Sequence, residues 1–259
     1  MLMNKDTADQ MWHDWFMNNA NRVEKRLHSF FRFLPHDPRC KLCHAPFQGI
    51  GGIMVAALYG RKQSKLNPSF CNLCEDFARK FPGRAEVEMS MLFAEVRGST
   101  VLSEKMPSRE FTELINRFYV GAAQAIAEED GLVEKPAGDA VAAFWGAGFA
   151  GKDYVARTIR AAQDIAWRMQ ARYIPVGIGV HAGVAYFGAM GAVDGLVDIS
   201  AIGEEVNTAA RLASKAGAGE IIVSEAAIAR TDIHKDRLES RSLELKGLSQ
   251  PVAVRVMHA

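Results

Sequence analysis

Two acidic residues and an asparagine–arginine pair are the positions in this chain whose types and spacing could carry chemistry. Glu95 and Asp139 each lie beside a short apolar run, and Asn207 and Arg211 follow in a later segment, one helical turn apart. Two carboxylates are suitable ligands for a pair of Mg²⁺ or Mn²⁺ ions. An amide and a guanidinium can orient and neutralise a phosphoryl group at its transition state. Together these residue types predict nucleotide chemistry.

Four cysteines form two pairs with the same spacing, Cys40-Lys-Leu-Cys43 and Cys71-Asn-Leu-Cys74. The arrangement uses every cysteine of the chain and predicts one metal ion held by four thiolates. Zinc is favoured, and a single iron held by the same residues is the alternative. Two disulfides or four buried free thiols are the remaining interpretations, and a reducing cytosol disfavours the disulfides. His44, directly after the first pair, is expected to be an unliganded surface residue.

The composition is that of an ordinary globular protein, with 49% hydrophobic and 24% charged residues. A net charge of +1 gives no electrostatic reason to expect binding to nucleic acid or to a membrane surface. The start of the chain carries Lys5, Asp6, Asp9 and Asp14 and lacks the apolar core of a signal peptide. The longest apolar stretch, residues 53–59, is too short to span a bilayer. We therefore expect a cytoplasmic protein.

Hydrophobic periodicity divides the chain into an N-terminal helix, a cysteine-containing module and a longer region of helices and strands. Residues 7–34 carry apolar side chains at roughly helical spacing, and the prolines that follow end this helix. Residues 36–80 are rich in Gly, Pro and Asn and show little regular period. Such a segment is typical of a small fold that is held by a metal more than by a core.

From residue 86 onward the pattern alternates between strands and helices. The predicted strands are 87–94, 132–133, 140–145, 221–223, 242–245 and 252–256, with 176–188 as a strand, a turn and a second strand. The predicted helices are one capped by Ser108 and apolar on one face to residue 126, a second at 153–172 and a third at 203–216. The order β-α-β-β-α-β predicts an α/β sandwich of the α+β type, in which helices pack on one face of a mostly antiparallel sheet.

Five segments, in this order, resemble the class III nucleotidyl cyclase catalytic domain, the family of the adenylate and guanylate cyclases. They are Leu92-Phe-Ala-Glu-Val-Arg-Gly-Ser-Thr100, Lys135-Pro-Ala-Gly-Asp139, Val176-Gly-Ile-Gly-Val-His-Ala-Gly183, Ile202-Gly-Glu-Glu-Val-Asn-Thr-Ala-Ala-Arg-Leu212 and Leu245-Lys-Gly-Leu-Ser-Gln-Pro-Val252. The resemblance covers residues 86 to 257 and implies a ferredoxin-like, palm-like fold. The chain would then have an N-terminal helix at 1–35, a metal-binding module at 36–84 and a cyclase catalytic domain at 85–259.

The resemblance also implies an activity. Such enzymes convert a nucleoside triphosphate to a 3′,5′-cyclic nucleotide and pyrophosphate by two-metal catalysis. By resemblance, Glu95 and Asp139 bind two Mg²⁺ or Mn²⁺ ions with help from the carbonyl of Val96. Arg211 is implied to stabilise the pentavalent transition state, and Asn207 to orient the ribose.

Substrate selection is implied by a further set of residues. Lys135 would donate a hydrogen bond to the purine edge, and Ser200 stands where the family often has Asp or Thr as its base-reading partner. Guanine-specific members usually carry an acidic residue at the lysine position, so ATP is the favoured substrate. Backbone amides would cradle the triphosphate in the segment Val96, Arg97, Gly98, Ser99 and Thr100. The family draws its metal residues and its Asn-Arg pair from different subunits, which implies a head-to-tail homodimer.

Several functions stay open at this point, because the family normally has Asp at the position of Glu95. The first is an active adenylate cyclase with a cysteine-rich regulatory module. The second is a catalytically weak or inactive cyclase-like domain that binds nucleotide and signals through its conformation. A cyclase for another nucleoside triphosphate is a further alternative, and the cysteine module could act as a redox or metal sensor. The chain has no Gly-Gly-Asp/Glu-Glu-Phe segment, which argues against a diguanylate cyclase.

Overall fold

The computed structural model describes residues 5–17, 22–35, 38–134, 138–191 and 197–259. The chain splits into two compact units. The first unit comprises Met1–Val87, Gly146–Gly151 and Ala185–Ile202, and the second comprises Glu88–Trp145, Lys152–Val184 and Gly203–Ala259. This grouping reflects contacts and not independent folding, so the predicted boundaries at residues 35 and 84 stay a prediction.

Helices and strands alternate along most of the described chain. The helices are α1 Lys5–Met17, α2 Arg22–Arg32, α3 Gly49–Tyr59, α4 Asn72–Lys80, α5 Ser99–Lys105, α6 Ser108–Glu128, α7 Ala147–Ala150, α8 Tyr154–Gln170, α9 Glu204–Lys215 and α10 Glu225–Ile228, with a 3₁₀ turn at Lys235–Arg237. The strands are β1 Arg84–Val96, β2 Leu132–Val133, β3 Ala140–Trp145, β4 Val176–Gly191, β5 Val197–Ile202, β6 Glu220–Ser224, β7 Glu239–Leu243 and β8 Val252–His258.

The strands form one sheet in the order β2-β3-β1-β4-β6-β8-β7, and β5 pairs with β4. The pairs β1–β3, β2–β3, β4–β5, β6–β8 and β7–β8 are antiparallel. Strands β4 and β6 pair in parallel. A mostly antiparallel sheet combined with long helices confirms the predicted α+β class.

The core of the second unit forms because its long helices are apolar on one face. In α6 this face includes Leu114, Ile115, Phe118 and Ile126, all buried. Helix α6 packs against α8, and both helices also contact β3. Full burial of a side chain such as Phe118 contributes about 1.5–3 kcal/mol relative to leaving it in water. The predicted apolar stripe is therefore the surface that joins α6 to the rest of the unit.

Helix α9 is held in place by a second cluster of the same unit. Leu212 of α9 and Ala216, directly after this helix, pack with Ile222 of β6, Leu245 after β7, and Val254 of β8. Because the buried side chains of α9 recur at helical spacing, the residues between them face away from the cluster.

The first unit contains an aromatic cluster around Phe187 of β4. Phe16 lies 4.4 Å from Phe187 between ring centroids, and Trp15 stacks on the same ring at 6.2 Å. The indole of Trp12 packs edge-on at 5.9 Å and donates a hydrogen bond to the carbonyl of Phe81 at 2.8 Å. The predicted apolar stripe of the N-terminal segment is thus core packing.

The prediction of a turn within residues 176–188 was wrong. Residues 176–191 form the single strand β4, and Gly183 lies inside it. A Cβ at Gly183 would lie 2.8 Å from the side chain of Glu205 on α9. The glycine is required because helix and strand approach closely there, a role that sequence does not distinguish from a turn.

Other expectations need smaller corrections. The cysteine module contains the regular helices α3 and α4, although little periodicity was expected. Helix α3 has apolar residues on its exposed side as well, including Ile50 and Ile53, so its sequence shows no amphipathic pattern. Ser108 is the first residue of α6, and the cap position is occupied by Pro107. The predicted N-terminal helix is described as α1 and α2, and residues 18–21 lie outside the described residues.

Candidate active site and four-cysteine cluster

Glu95 lies on β1, and Asp139 lies in the turn directly before the adjacent strand β3. Glu95 of β1 pairs in register with Ala140 of β3, and the backbone N–H of Val96 donates to the carbonyl of Asp139 at 3.0 Å. Gly138 has φ +64, a left-handed conformation that glycine adopts without strain at the hairpin tip. Lys135 in the same hairpin lies outside the described residues. The two carboxylates therefore emerge from neighbouring backbone positions, and their binding of two metal ions stays a prediction.

Asp139 is anchored by two hydroxyl groups around the hairpin. The hydroxyl of Ser99 donates to its carboxylate, and the hydroxyl of Tyr119 donates to the carbonyl of Gly138. Burial, together with the nearby Asp139 carboxylate, raises the pKa of Tyr119 above its ordinary value. Tyr119 therefore keeps its proton at neutral pH and holds the hairpin tip. Sequence reasoning missed this residue, because no motif distinguishes it from the other side chains of α6.

The carboxylate of Glu95 is held by a cation and by a hydroxyl group. Arg97 Nη2 lies 2.5 Å from Glu95 Oε2, and the hydroxyl of Ser214 on α9 lies 3.3 Å from Oε1. Arg97 Nη1 also donates to the carbonyl of Ser214 at 3.2 Å. The longer side chain of glutamate thus reaches toward α9, where a cation and a hydroxyl hold it.

The donor set fits a hard divalent cation, since all its atoms are oxygens. The two carboxylates and the Val96 carbonyl are the kind of ligands that Mg²⁺ prefers. Glu95 would have to exchange its ion pair with Arg97 for a metal contact. Asp139 accepts a hydrogen bond from the neutral hydroxyl of Ser99, so it could bind a metal without first breaking an ion pair.

The backbone segment after β1 offers fewer free amides than the sequence suggested. The N–H of Val96 donates to the carbonyl of Asp139, and the N–H of Arg97 donates to the carbonyl of Pro175 at 2.7 Å. Helix α5 begins directly afterwards, at Ser99, and the first N–H groups of a helix have no partner within it. The proposed triphosphate cradle therefore narrows from Val96–Thr100 to the amides of Gly98, Ser99 and Thr100.

Asn207 and Arg211 lie on α9, between residues that are buried against the sheet. Asn207 is exposed, and Arg211 is half-buried. A Cβ at Gly247 would lie 3.3 Å from Arg211 Nη2, which places the guanidinium at the loop between β7 and β8. Residues 244–246 and 248–251 of this loop line an open concavity of about 330 Å³. The exposed Lys246 adds a second positive charge, and sequence reasoning assigned it no role although it precedes Gly247 in a family segment.

The acidic pair and Arg211 lie at different places in the second unit. Strands β4 and β6 separate β1 from β8 in the sheet. At about 4.8 Å per neighbouring strand, β1 and β8 are roughly 14 Å apart. Helix α9 lies between these strands: Ser214 contacts Glu95, and Arg211, one helical turn earlier, is directed toward Gly247.

Ser200 belongs to the first unit. It lies on β5, pairs in register with Gly188 of β4 and is partly exposed. Its strand also carries Asp198, whose carboxylate lies 3.1 Å from Nζ of Lys41 in the cysteine module.

His181 is a buried structural residue of the second unit. Its Nδ1 lies 2.7 Å from the hydroxyl of Ser224, and its Nε2 lies 2.5 Å from Glu205 Oε2. Burial lowers the pKa of His181, and the hydrogen bond with Glu205 opposes this effect without cancelling it. Arg230 also disfavours the protonated form. The ring therefore links β4 to the start of α9.

The lowered pKa of His181 predicts a loss of stability in mild acid. The unfolded chain binds a proton at this histidine near pH 6.5, whereas the folded protein binds it only at lower pH. The free energy of unfolding should therefore fall as the pH drops below about 6.5. Urea unfolding at several pH values checks this, and His181→Gln should reduce the dependence. The exposed His234→Gln is the control, and an equal reduction by that variant would contradict the prediction.

The four cysteine sulfurs form one buried cluster. All four lie within 4.8 Å of one another, and all four thiols are free. Four thiolates about 2.3 Å from one ion would place neighbouring sulfurs about 3.8 Å apart. Cys43 Sγ lies 3.8 Å from Cys71 Sγ, so the cluster has the dimensions of a tetrahedral four-thiolate site.

A buried cation compensates the charge of this cluster. Arg61 Nη1 lies 3.9 Å from Cys71 Sγ and 3.8 Å from Cys74 Sγ, and Nη2 lies 2.6 Å from Glu24. Burial acts to lower the pKa of Arg61, but the charges of Cys43 and Glu24 outweigh it and raise that pKa. Hydrogen bonds from the other thiols, Cys40 first, lower the pKa of Cys71. The surroundings thus favour the thiolate at Cys71, whereas hydrogen bonds with neighbouring thiols, Cys40 first, together with burial, raise the pKa of Cys43 and of Cys74.

His44 is buried, and its predicted surface position was wrong. Its backbone N–H donates to the carbonyl of Cys40 at 2.9 Å, and its φ is +58. The ring packs against His28, with 4.2 Å between ring centroids. The turn that brings the two cysteines of the first pair together also turns this side chain inward.

We expect the purified chain to carry one zinc or iron ion, and Cys71→Ser to lose it. Metal binding at a four-thiolate site contributes directly to folding free energy. The variant should therefore unfold at a temperature roughly 10 °C lower. Metal analysis and calorimetry check both effects. Leu73→Ser changes an exposed residue between the same two cysteines and is the matched control; full metal content in Cys71→Ser would contradict the prediction.

None of the helices in the described part of the chain is long and apolar enough to cross a lipid bilayer.

Comparison with known proteins gives consistent matches over the second half of the fold and beyond. The family model described as the adenylate and guanylate cyclase catalytic domain matches residues 84–254. An uncharacterised protein of Mycobacterium tuberculosis is 30% identical over 207 residues, which are 78% of this chain and 35% of the relative. An adenylate cyclase of Anabaena cylindrica is 26% identical over 248 residues, which are 90% of this chain and 43% of the relative. The chain thus spans about a third to two fifths of the length of these relatives.

Solved structures show the same fold. The adenylyl cyclase CyaB from P. aeruginosa has a TM-score of 0.60 and 26% identity, and the match covers 68% of this chain and 96% of that one. The guanylyl cyclase Cya2 has a TM-score of 0.61 and 20% identity, covering 66% and 91%. The resemblance predicted from five segments is confirmed. The family model matches about two thirds of the length of this chain. The chain therefore belongs to the adenylate and guanylate cyclase catalytic-domain family.

Proposed function

We propose that this chain converts a nucleoside triphosphate, with ATP favoured, to a 3′,5′-cyclic nucleotide and pyrophosphate in a homodimer. The observation that carries the proposal is the backbone hydrogen bond from the N–H of Val96 to the carbonyl of Asp139. It joins the end of β1 to the turn before β3, so that Glu95 and Asp139 lie at neighbouring backbone positions. Two carboxylates and one backbone carbonyl form the oxygen donor set that a two-metal phosphoryl-transfer site needs. The uncharacterised relatives leave this activity to be tested.

The chemistry needs little covalent help from the protein. When bound, two Mg²⁺ or Mn²⁺ ions would lower the pKa of the ribose 3′-hydroxyl and offset the charge of the triphosphate. Asp139 and Glu95 would hold these ions. The amides of Gly98, Ser99 and Thr100 would bind phosphate oxygens.

The cationic half of the site would act on the α-phosphate. Arg211 would stabilise the negative charge that grows there while the 3′-oxygen attacks, and Asn207 would orient the ribose. Lys246, the exposed residue before Gly247 in the same loop, would bind the leaving pyrophosphate. These roles require side chains that a substrate can reach. On α9, Asn207 is exposed and Arg211 is half-buried.

The directions of the two halves support a dimer. The acidic pair lies at β1 and at the turn before β3, whereas Arg211 is directed toward the loop after β7. Within one chain the Glu95 carboxylate contacts Arg97 and Ser214, whereas the guanidinium of Arg211 lies at Gly247. A head-to-tail arrangement of two chains would bring the acidic half of one to the cationic half of the other, and would form two sites.

Base selection is assigned to Lys135 and Ser200. A lysine donates to adenine N1 but meets a donor at the corresponding edge of guanine, so it favours ATP. Ser200 would donate or accept a second hydrogen bond. The Anabaena relative and the P. aeruginosa structure are adenylate cyclases, in agreement with this choice.

A product assay tests the proposal. Purified protein is incubated with ATP, GTP, CTP or UTP in Mg²⁺ or Mn²⁺, and the cyclic nucleotides are separated and identified. Cyclic AMP should be the main product, and the faster reaction is expected in Mn²⁺. The absence of any cyclic nucleotide under all eight conditions would contradict the proposal.

A second function, a weak or inactive domain that only binds nucleotide, is favoured by the contacts of Glu95. Its carboxylate is held by Arg97 and Ser214, away from the metal position that the proposal gives it. Glu95→Asp shortens the side chain by one methylene group, which removes its reach to Ser214.

We expect Glu95→Asp to increase turnover on the order of tenfold to a hundredfold, because placement errors of about 1 Å cost rates of this size. Glu86→Asp, on the exposed part of the same strand, is the control and should leave turnover unchanged. Unchanged or lower turnover in Glu95→Asp would show that glutamate is the better ligand in this protein.

A further inference from the structure

The cysteine module of the first unit is hydrogen-bonded to the strand that carries Ser200. Lys41 lies between the first two cysteines, and its side chain is 9% exposed. Its Nζ donates to the carbonyl of Ile199 at 2.6 Å and lies 3.1 Å from Asp198 Oδ1. These contacts join residues more than 150 positions apart, and they end one residue before Ser200.

A second side chain of the module reaches the same strand. Asn67 is 6% exposed, and its Nδ2 donates to the carbonyl of Val197 at 2.9 Å. Its Oδ1 accepts from the backbone N–H of Ser69 at 3.1 Å, which fixes the orientation of the amide. Val197 and Ile199 are two residues apart, so their carbonyls point to the same edge of the strand. The module therefore holds β5 at two successive carbonyls, much as a neighbouring strand would.

The two holding side chains come from loops that the cysteines connect. The N–H of Lys41 donates to the carbonyl of Ser69 at 2.8 Å, and the N–H of Cys71 donates to Cys40 Sγ at 3.2 Å. A metal bound by all four cysteines would fix both loops to one point. Without it, the two loops would keep the hydrogen bond from Lys41 to Ser69 but would lose the fixed geometry of four metal–sulfur bonds, and the positions of Lys41 and Asn67 would be tied together less firmly.

We propose that Lys41 and Asn67 are positioning residues that hold β5, so that metal binding at the four cysteines sets the place of Ser200 and thereby the preference between adenine and guanine nucleotides. The proposal rests on the proposed base-reading role of Ser200. Asp198 lies on the same face of β5 as Ser200, because side chains two residues apart in a strand share a face. If β5 shifts where Lys41 contacts it, Ser200 therefore moves with the strand.

The experiment compares metal-loaded full-length protein with its Lys41→Met variant. Hydrogen exchange of peptides covering residues 197–202 is measured first, because it requires neither substrate nor turnover. Exchange should be at least tenfold faster in Lys41→Met while the metal content stays at that of the parent. Lys65→Met removes an exposed lysine of the same module and should leave exchange unchanged. Lys41→Arg, which keeps a cationic donor, should restore most of the protection.

The second readout is the ratio of the dissociation constants for ATP and GTP analogues that cannot cyclise. Lys41→Met should change this ratio by threefold or more, whereas Lys65→Met should not. Removing the metal from the parent should produce the same changes in exchange and ratio. The double variant Lys41→Met/Asn67→Ala should then respond no further to metal removal.

Several results would overturn the proposal. One is unchanged exchange of residues 197–202 in Lys41→Met, and another is faster exchange with an unchanged binding ratio. A metal response that survives in the double variant would also exclude these two residues as the connection. Failure of the cyclase proposal is recognised separately, as an absence of cyclic product in the parent protein, since exchange and analogue binding do not depend on turnover.

Discussion

Asp139→Ala is expected to lower cyclase turnover on the order of a thousandfold, which corresponds to about 4 kcal/mol of transition-state stabilisation. Asp139 is the carboxylate with the fewest competing contacts, since Ser99 donates a neutral hydrogen bond to it and Glu95 is paired with a cation. Alanine removes the ligand without disturbing the hairpin, because the Val96–Asp139 hydrogen bond is made by the backbone. The measurement is initial rate against ATP in Mn²⁺.

The control for this variant is Asp232→Ala, which removes an exposed carboxylate after α10. It should keep the parent rate. Unfolding temperatures of both variants should match the parent within a few degrees, so that lost activity is not lost structure. A rate in Asp139→Ala within tenfold of the parent would remove this residue from the site.

Arg211→Ala is expected to lower turnover by about a hundredfold to a thousandfold, because it removes a preorganised cation from the transition state. The stronger test is restoration by mixing. When Asp139→Ala and Arg211→Ala chains are co-expressed in equal amounts, half of the dimers contain one of each. Such a dimer has one intact site of two if the sites are shared between chains, so about a quarter of the parent activity should return.

The matched control combines two variants from the same half of the site. Co-expressed Asp139→Ala and Glu95→Ala chains place one defect in each shared site, and activity should stay at the level of the single variants. Restoration by this pair, or none by the first pair at concentrations where dimers form, would contradict a shared site. The comparison depends only on which chain supplies which side chain.

The sequence predicted the active-site elements well, because each is local. Periodicity and turn residues within a few positions predict each of these elements. They are the strand that contains Glu95, the hairpin that contains Asp139, and helix α9. Glycine was the main source of error in the same region. The glycine-rich residues 176–188 were interpreted as strand, turn and strand, whereas the missing side chain of Gly183 makes room for Glu205 of a helix more than 20 residues later in the chain.

Contacts between distant segments could not be predicted. Nothing around Lys41 indicates that its ammonium group reaches Asp198, and a lysine between two cysteines is most simply interpreted as a surface residue. The same holds for the contacts of Glu95 with Ser214 and of Tyr119 with the hairpin. Pairing of this kind depends on the folded arrangement of the whole unit. Metal identity, base preference and the role of Lys135 stay predictions.

The aromatic cluster around Phe187 has a consequence for shortened forms of the protein. Trp12, Trp15 and Phe16 cover a ring that belongs to the part of the chain matched by the cyclase family. A fragment starting near residue 84 would leave that ring and its neighbour Phe149 facing water. Such a fragment would invite self-association through the uncovered patch, so family boundaries taken from alignment are a poor guide for trimming this chain.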